Sequence, residues 1–264
     1  FKVRGALNKL LTLNKSKRSR GVITASTGNH GASVAYAARE LNIECTIFVP
    51  KGSSLAKISN MKNFGATIQT YGSDCIEAEL KAREISLKED KEYISPYNDR
   101  DVIAGQGTIG LEMTKQCEKL DSIIISVGGG GLISGIGTYL KSVWPSINII
   151  GCSPKNSAVM IHSIMKGKIL KLESKPTLSD GTAGGVEDDS ITFPVCCEII
   201  DDLVLLTENQ TKKAMISYIK QERQLLEGAA GVAVATLLKQ KKSLQGKRVG
   251  VVICGGNVGI NTLQ

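Results

Sequence analysis

The chain has 264 residues, 42% hydrophobic and 22% charged, which excludes a disordered polymer and suits one large or two small globular domains. Its formal net charge is +8, but Lys2, Arg4, Lys9, Lys15, Lys17, Arg18 and Arg20 crowd the first 20 residues with no acid, leaving the rest close to neutral. Aromatics are only 4%, and no apolar run reaches the roughly 18 residues of a membrane span, so neither nucleic acid nor membrane is expected as a partner. Lys15–Arg20 reads as a solvated basic helix, and no signal-peptide core follows Phe1, so the expected location is cytoplasmic.

Short β-rich runs alternate with longer helical ones. Residues 21–27 predict a strand entering a turn, 31–42 a helix, 44–50 a strand and 54–65 a helix closed by Gly65. A strand at 66–72 and a helix at 74–88 complete a β-α-β-α-β series, the pattern of a parallel sheet with right-handed crossovers. A second series follows. It has a helix at 101–117, a fully apolar strand at 122–128, a helix at 129–140, a strand at 147–154 and a helix at 156–167. Residues 168–195 look irregular, 208–224 and 227–241 helical, and 248–256 a last buried strand. The expected fold is α/β, with two open parallel-sheet domains. The smaller is placed at 21–98 and the larger at 1–20 plus 99–264.

The seven cysteines lack a C-x-x-C pair and are odd in number, which fits reduced thiols and neither a disulfide framework nor a zinc site. All but Cys254 read as small buried hydrophobes. Three turns that follow strands carry candidate chemistry. In S-V-G-G-G-G-L-I-S-G (126–135), successive glycines leave backbone N–H groups open to an anion beside a helix N-terminus. The alternative is a tight turn, and the G-x-G-x-x-G registers within it are a weak signal. In A-S-T-G-N-H-G (25–31), Ser26 and Thr27 suit a carboxylate, or else an N-cap box with His30 at the surface. In C-G-G-N (254–257), a thiol sits at the carboxyl end of a strand, where α/β proteins bind ligands.

F-K-V-R-G-A (1–6), A-S-T-G-N-H-G (25–31), V-G-G-G-G-L (127–132), D-G-T-A-G-G (180–185), E-G-A-A-G (227–231) and C-G-G-N (254–257) run almost the length of the chain. In order and separation they resemble the fold-type II pyridoxal-phosphate enzymes, in the serine/threonine dehydratase and serine racemase group. The resemblance implies a tryptophan synthase β-like fold, with pyridoxal 5'-phosphate between two domains. Lys2 matches the Schiff-base lysine and the base at Cα. Gly128, Gly129, Gly130, Gly131 and Leu132 match the phosphate loop, Asn29 and Asn98 two cofactor amides, and Cys254 the partner of the pyridine nitrogen. Ser26, Thr27 and His30 match the loop gripping the substrate carboxylate, and Glu227 a glutamate near the ring.

The activity this resemblance implies is β-elimination from L-threonine or L-serine to a 2-oxo acid and ammonia, in a homodimer or homotetramer. Racemases of the group use a serine where Thr27 stands, which makes serine racemisation the alternative, alongside hydroxyaspartate dehydration. A non-catalytic pyridoxal-phosphate-binding protein is a further alternative. The segment with Ser153, Ser157 and Val159 lacks the acids of a divalent-cation site, so no metal is expected. Family members carry several dozen residues before the lysine, so a truncated chain is expected to lack part of the larger domain. The short distance beyond C-G-G-N suits the unregulated, catabolic type.

Overall fold

In a computed structural model, residues 1–258 are described. The chain divides into two compact units, one of Phe1–Gly105 and one from Gln106 onward.

The first unit runs α1 (Lys2–Thr12), α2 (Lys15–Arg20), β1 (Val22–Ala25), α3 (Asn29–Glu40) and β2 (Cys45–Val49). It continues with α4 (Leu55–Asn63), β3 (Thr67–Thr70), α5 (Cys75–Lys88) and β4 (Glu92–Tyr93). The strands form one parallel sheet in the order β3-β2-β1-β4. Alternation along the strands separates two cores. Val22, Ile47 and Val49 pack with Ala6, Leu10, Val34 and Ala38 from α1 and α3, while Ile23 and Phe48 pack with Ala78 and Ala82 of α5. Because Ala6 and Leu10 of α1 lie in this core, residues 1–20 fall with the first unit, whereas the sequence reading grouped them with 99–264. In α2, Asn14 caps the Lys17 N–H at 2.9 Å and no residue is buried, as a solvated basic helix requires.

Helix α6 (Arg100–Gln116) spans the division. The second unit contains β5 (Ser122–Ser126), α7 (Gly131–Val143), β6 (Asn148–Pro154), α8 (Val159–Lys166) and α9 (Thr192–Ile199). It ends with β7 (Asp202–Leu206), α10 (Glu208–Glu222), α11 (Gly228–Lys239) and β8 (Val249–Val251). Its strands are parallel in the order β7-β6-β5-β8. Every residue of β5 is buried, as its unbroken apolar run predicts. Helix α11 is buried from Gly228 to Thr236, the signature of an internal helix.

Five elements differ from the sequence expectation. Helices α1 and α9 and strands β4 and β7 had no predicted counterpart, and the last strand is three residues long instead of nine. Of the six cysteines expected in the core, Cys45, Cys152 and Cys196 are buried, but Cys75, Cys117 and Cys197 are exposed. Residue type alone did not reveal which helix faces these thiols occupy. Among the described residues, no helix is long and apolar enough to cross a membrane, and no group of three or more His, Cys, Asp or Glu is arranged to hold a metal ion.

Candidate functional site

In each unit the chain order reverses beside the first strand of the sheet. In the first unit β1 lies between β2 and β4, and in the second β5 lies between β6 and β8. Open parallel sheets bind ligands at the carboxyl ends of the strands flanking such a reversal. The loops there are those after β1 and β4 in one unit and after β5 and β8 in the other. These loops hold Ser26–His30 and Ser95–Asn98 in the first unit, and Val127–Gly131 and Cys254–Asn257 in the second.

After β1, Ser26, Thr27 and Asn29 are half-buried, and the Ser26 hydroxyl accepts from the Gly28 N–H at 3.2 Å. Helix α3 starts at Asn29 with no side-chain cap on its N-terminus. Gly31 is required by close packing: a Cβ there would lie 2.7 Å from both the Ser26 carbonyl and the Met61 sulfur.

After β4 the chain forms a braced segment. The Ile94 carbonyl accepts from the Thr24 hydroxyl at 2.8 Å and pairs with His30 Nε2 at 2.9 Å. The Ser95 hydroxyl accepts from the Asn98 N–H at 2.9 Å. The Pro96 carbonyl accepts from the Lys2 ammonium at 2.7 Å. Lys2 therefore reaches the ligand edge of the first sheet from the first turn of α1 and is half-buried.

His30 is buried, not at the surface. Burial, assisted by the nearby Lys2 charge and opposed by the Ile94 bond, pushes its pKa down to about 3. The imidazole is neutral at pH 7. Since a carbonyl only accepts, Nε2 carries the proton and Nδ1 is the acceptor.

In the second unit, the glycine loop is shaped by its surroundings. A Cβ at Gly128 would lie 2.9 Å from the backbone of Thr182, inside the turn Asp180–Thr182. Gly130 has φ +87°, and a Cβ there would lie 2.8 Å from the Cys196 sulfur. Both positions need glycine, for space at Gly128 and for both space and conformation at Gly130. The Thr192 hydroxyl donates to the Gly129 carbonyl at 2.6 Å, bracing the loop from behind. Helix α7 follows with no side-chain cap on its N-terminus. The result is a backbone cradle for an anion. Gly131 and Leu132 open this helix and are buried.

Cys254 is buried beyond β8, with its sulfur 3.4 Å from the Ser126 hydroxyl at the end of β5. Burial pushes its thiol pKa up, so it stays a neutral, weakly polar group. Glu227 is buried beside the same turn and accepts from the Asn257 N–H at 2.8 Å.

The residues singled out in the sequence thus gather on two edges. Lys2, Ser26, Thr27, Asn29, His30 and Asn98 lie on the first unit's, and Gly128–Leu132 and Cys254 on the second's. Sequence reasoning missed Pro96, Thr192 and Ser126. Thr192 fell in a stretch taken as irregular, and Pro96 acts through its backbone, which no residue type signals.

The family model for pyridoxal-phosphate dependent enzymes matches residues 1–255. An L-threonine ammonia-lyase of Thermotoga maritima is 39% identical over 264 residues, covering 100% of this chain and 65% of that protein. This chain thus spans just under two thirds of that relative's length. The processed form of threonine deaminase isoform 2 from Solanum lycopersicum superposes with a TM-score of 0.93 at 35% identity, over 99% of this chain and 77% of that one. Maize serine racemase superposes with a TM-score of 0.92 at 31% identity, over 99% and 80%.

Proposed function

Because this chain belongs to the pyridoxal-phosphate dependent enzyme family, we propose that it is an L-threonine/L-serine ammonia-lyase, eliminating the β-hydroxyl to give a 2-oxo acid and ammonia. The observation that carries the reading is the Lys2 amine, drawn out of a basic segment and tied to Pro96 at the ligand edge of its sheet. Similarity to an L-threonine ammonia-lyase and a threonine deaminase supports the choice of reaction.

The residues present suit the cofactor. Gly128 and Gly130 let the loop pack closely against Thr182 and Cys196, and the N-terminus of α7 that follows it, with no side-chain cap, favours a phosphate electrostatically. Lys2 supplies the primary amine that an aldehyde requires. Bound there, the cofactor would make the Cα proton of an amino acid acidic.

The chain's own groups would do the rest. The Lys2 amine would take the Cα proton. Ser26, Thr27 and the first-turn N–H groups of α3 hold the substrate carboxylate. His30 stays neutral, so it holds the loop through Ile94 instead of adding a positive charge. Asn29 and Asn98 orient the ring. Cys254 would give the pyridine nitrogen a neutral thiol as its partner, with no negative charge to hold a proton there. By the same resemblance we expect a homodimer or homotetramer.

Serine racemisation is the second reading. The likeness to maize serine racemase favours it, and Thr27 carries a hydroxyl that can serve as a second acid/base, though its methyl adds bulk. The test is to supply pyridoxal phosphate with L-threonine or L-serine. Formation of 2-oxobutanoate or pyruvate with equimolar ammonia is the expected result. Conversion of L-serine to D-serine without oxo acid, read by chiral chromatography, would replace the lyase reading with the racemase one. Binding of the cofactor with neither product would leave a non-catalytic binding protein.

A further inference from the structure

Lys9 is 8% exposed, unusual for a lysine, and sits seven residues after Lys2 in α1. Seven residues are two helical turns, so the two amines leave the same face about 10 Å apart along the axis. The Lys9 ammonium meets Asp99 at 2.7 Å, Glu92 at 3.0 Å and Asp101 at 3.5 Å. Lys17 joins through Glu92 at 2.7 Å. Asn8 and Thr12, flanking Lys9 on α1, also bond Asp101, through its carbonyl at 2.7 Å and its carboxylate at 3.0 Å.

All these partners belong to one stretch, 92–101, which also carries Pro96 and Asn98. Asp99 has two tasks. One carboxylate oxygen takes the Lys9 ammonium, and the other accepts from the Asp101 and Val102 N–H groups at 2.8 and 3.0 Å, capping the start of α6. The stretch is thus tied to α1 at both ends of the helix, by Lys2 at Pro96 and by the Lys9 cluster at Glu92, Asp99 and Asp101. Burial works against the Lys9 charge, but Asp99 and Glu92 more than offset it and hold the ammonium above its ordinary pKa.

We propose that Lys9 is the positioning residue for Lys2: its ion cluster with Asp99 and Glu92 fixes α1 against the 92–101 stretch and so holds the reactive amine on Pro96. This deepens the function proposed above and rests on Lys2 as the reactive amine. A cavity of about 380 Å³ lined by Glu92, Ser95, Asn98 and Asp99 opens beside the cluster. The carboxylates keep access to water there, so the fold can survive loss of Lys9.

The experiment is competitive labelling of lysine amines with an acylating reagent, read at Lys2 by mass spectrometry in the full chain. Lys9→Met is expected to speed Lys2 labelling about tenfold, the factor that corresponds to loss of one charged hydrogen bond. Lys9→Arg restores protection, because a guanidinium still reaches the carboxylates. The same Lys9→Met variant binds pyridoxal phosphate more weakly in an absorbance titration. Ile43→Ala, a core cavity in the same unit at a residue outside the ion cluster, is the control for general loosening. An unchanged Lys2 rate in Lys9→Met, or equal acceleration in Ile43→Ala, overturns the proposal. Labelling needs no turnover, so absence of oxo acid from the unmutated protein would remove the lyase reading while the labelling contrast still decides the role of Lys9.

Discussion

The Lys2 ammonium and the Pro96 carbonyl, 94 residues apart in sequence, meet at 2.7 Å. This bond takes one lysine out of a segment rich in basic residues and sets it beside the carboxyl ends of the strands, where open parallel sheets bind ligands. In the proposed function, replacing Lys2 with alanine removes both the cofactor's amine and the base. Turnover is expected to fall on the order of a thousandfold or more. Alanine is the best helix former, so α1 persists and the circular dichroism spectrum stays unchanged. A Lys2→Ala protein that still forms oxo acid at the unmutated rate would refute the assignment.

Gly128 and Gly130 are expected to be intolerant for different reasons. Gly128→Ala presses a methyl onto the Thr182 backbone, and Gly130→Ala adds a left-handed φ to a clash with Cys196. Each should weaken pyridoxal phosphate binding about tenfold or more, since the cradle must shift to relieve roughly 1–3 kcal/mol of strain. Gly167 is the comparison, with φ +69° and open space around it. Gly167→Ala should cost about 1 kcal/mol of stability and leave cofactor affinity alone. Equal losses of affinity in all three would show that the cradle has no special role.

His30 makes stability depend on acid. Its folded pKa is pushed down to about 3 from an ordinary 6.5. As pH falls below 6.5, the unfolded chain takes up a proton that the folded chain refuses until about 3, so stability declines across that window. Between pH 7 and pH 4.5, urea unfolding should show a loss about 2 kcal/mol greater in the unmutated chain than in His30→Gln. Parallel pH profiles for the two proteins would contradict the buried, neutral histidine.

The thiols should separate by burial. Iodoacetamide is expected to modify Cys75, Cys117 and Cys197 in the native protein and to spare Cys45, Cys152, Cys196 and Cys254 until it unfolds. Cys254→Ser trades a weak donor for a stronger one at the same place, so turnover should stay within about threefold. Rapid native labelling of Cys254 with loss of activity would mean that the thiol is open to solvent.

Much of this architecture is legible without coordinates. The β5 run S-I-I-I-S puts isoleucine on both faces, so both must be covered, and the alternation of such runs with helical segments dictates parallel sheets. Strands β4 and β7 escape notice for the opposite reason. The first is two residues long, and the second lies at a sheet edge with an exposed Asp202 at its start. Pairing with β1 and β6, and not local propensity, makes them strands.

By itself the sequence determined the fold class, the glycine cradle and the family, because close backbone packing and anion binding restrict residue type at fixed positions. The tertiary structure decided what each polar group does. His30 is sealed against Ile94, three of six cysteines face outward, and Lys2 differs from Lys15 only in where the chain brings Pro96. Those outcomes depend on burial and on partners dozens of residues away, and neither is encoded in a residue's immediate neighbours.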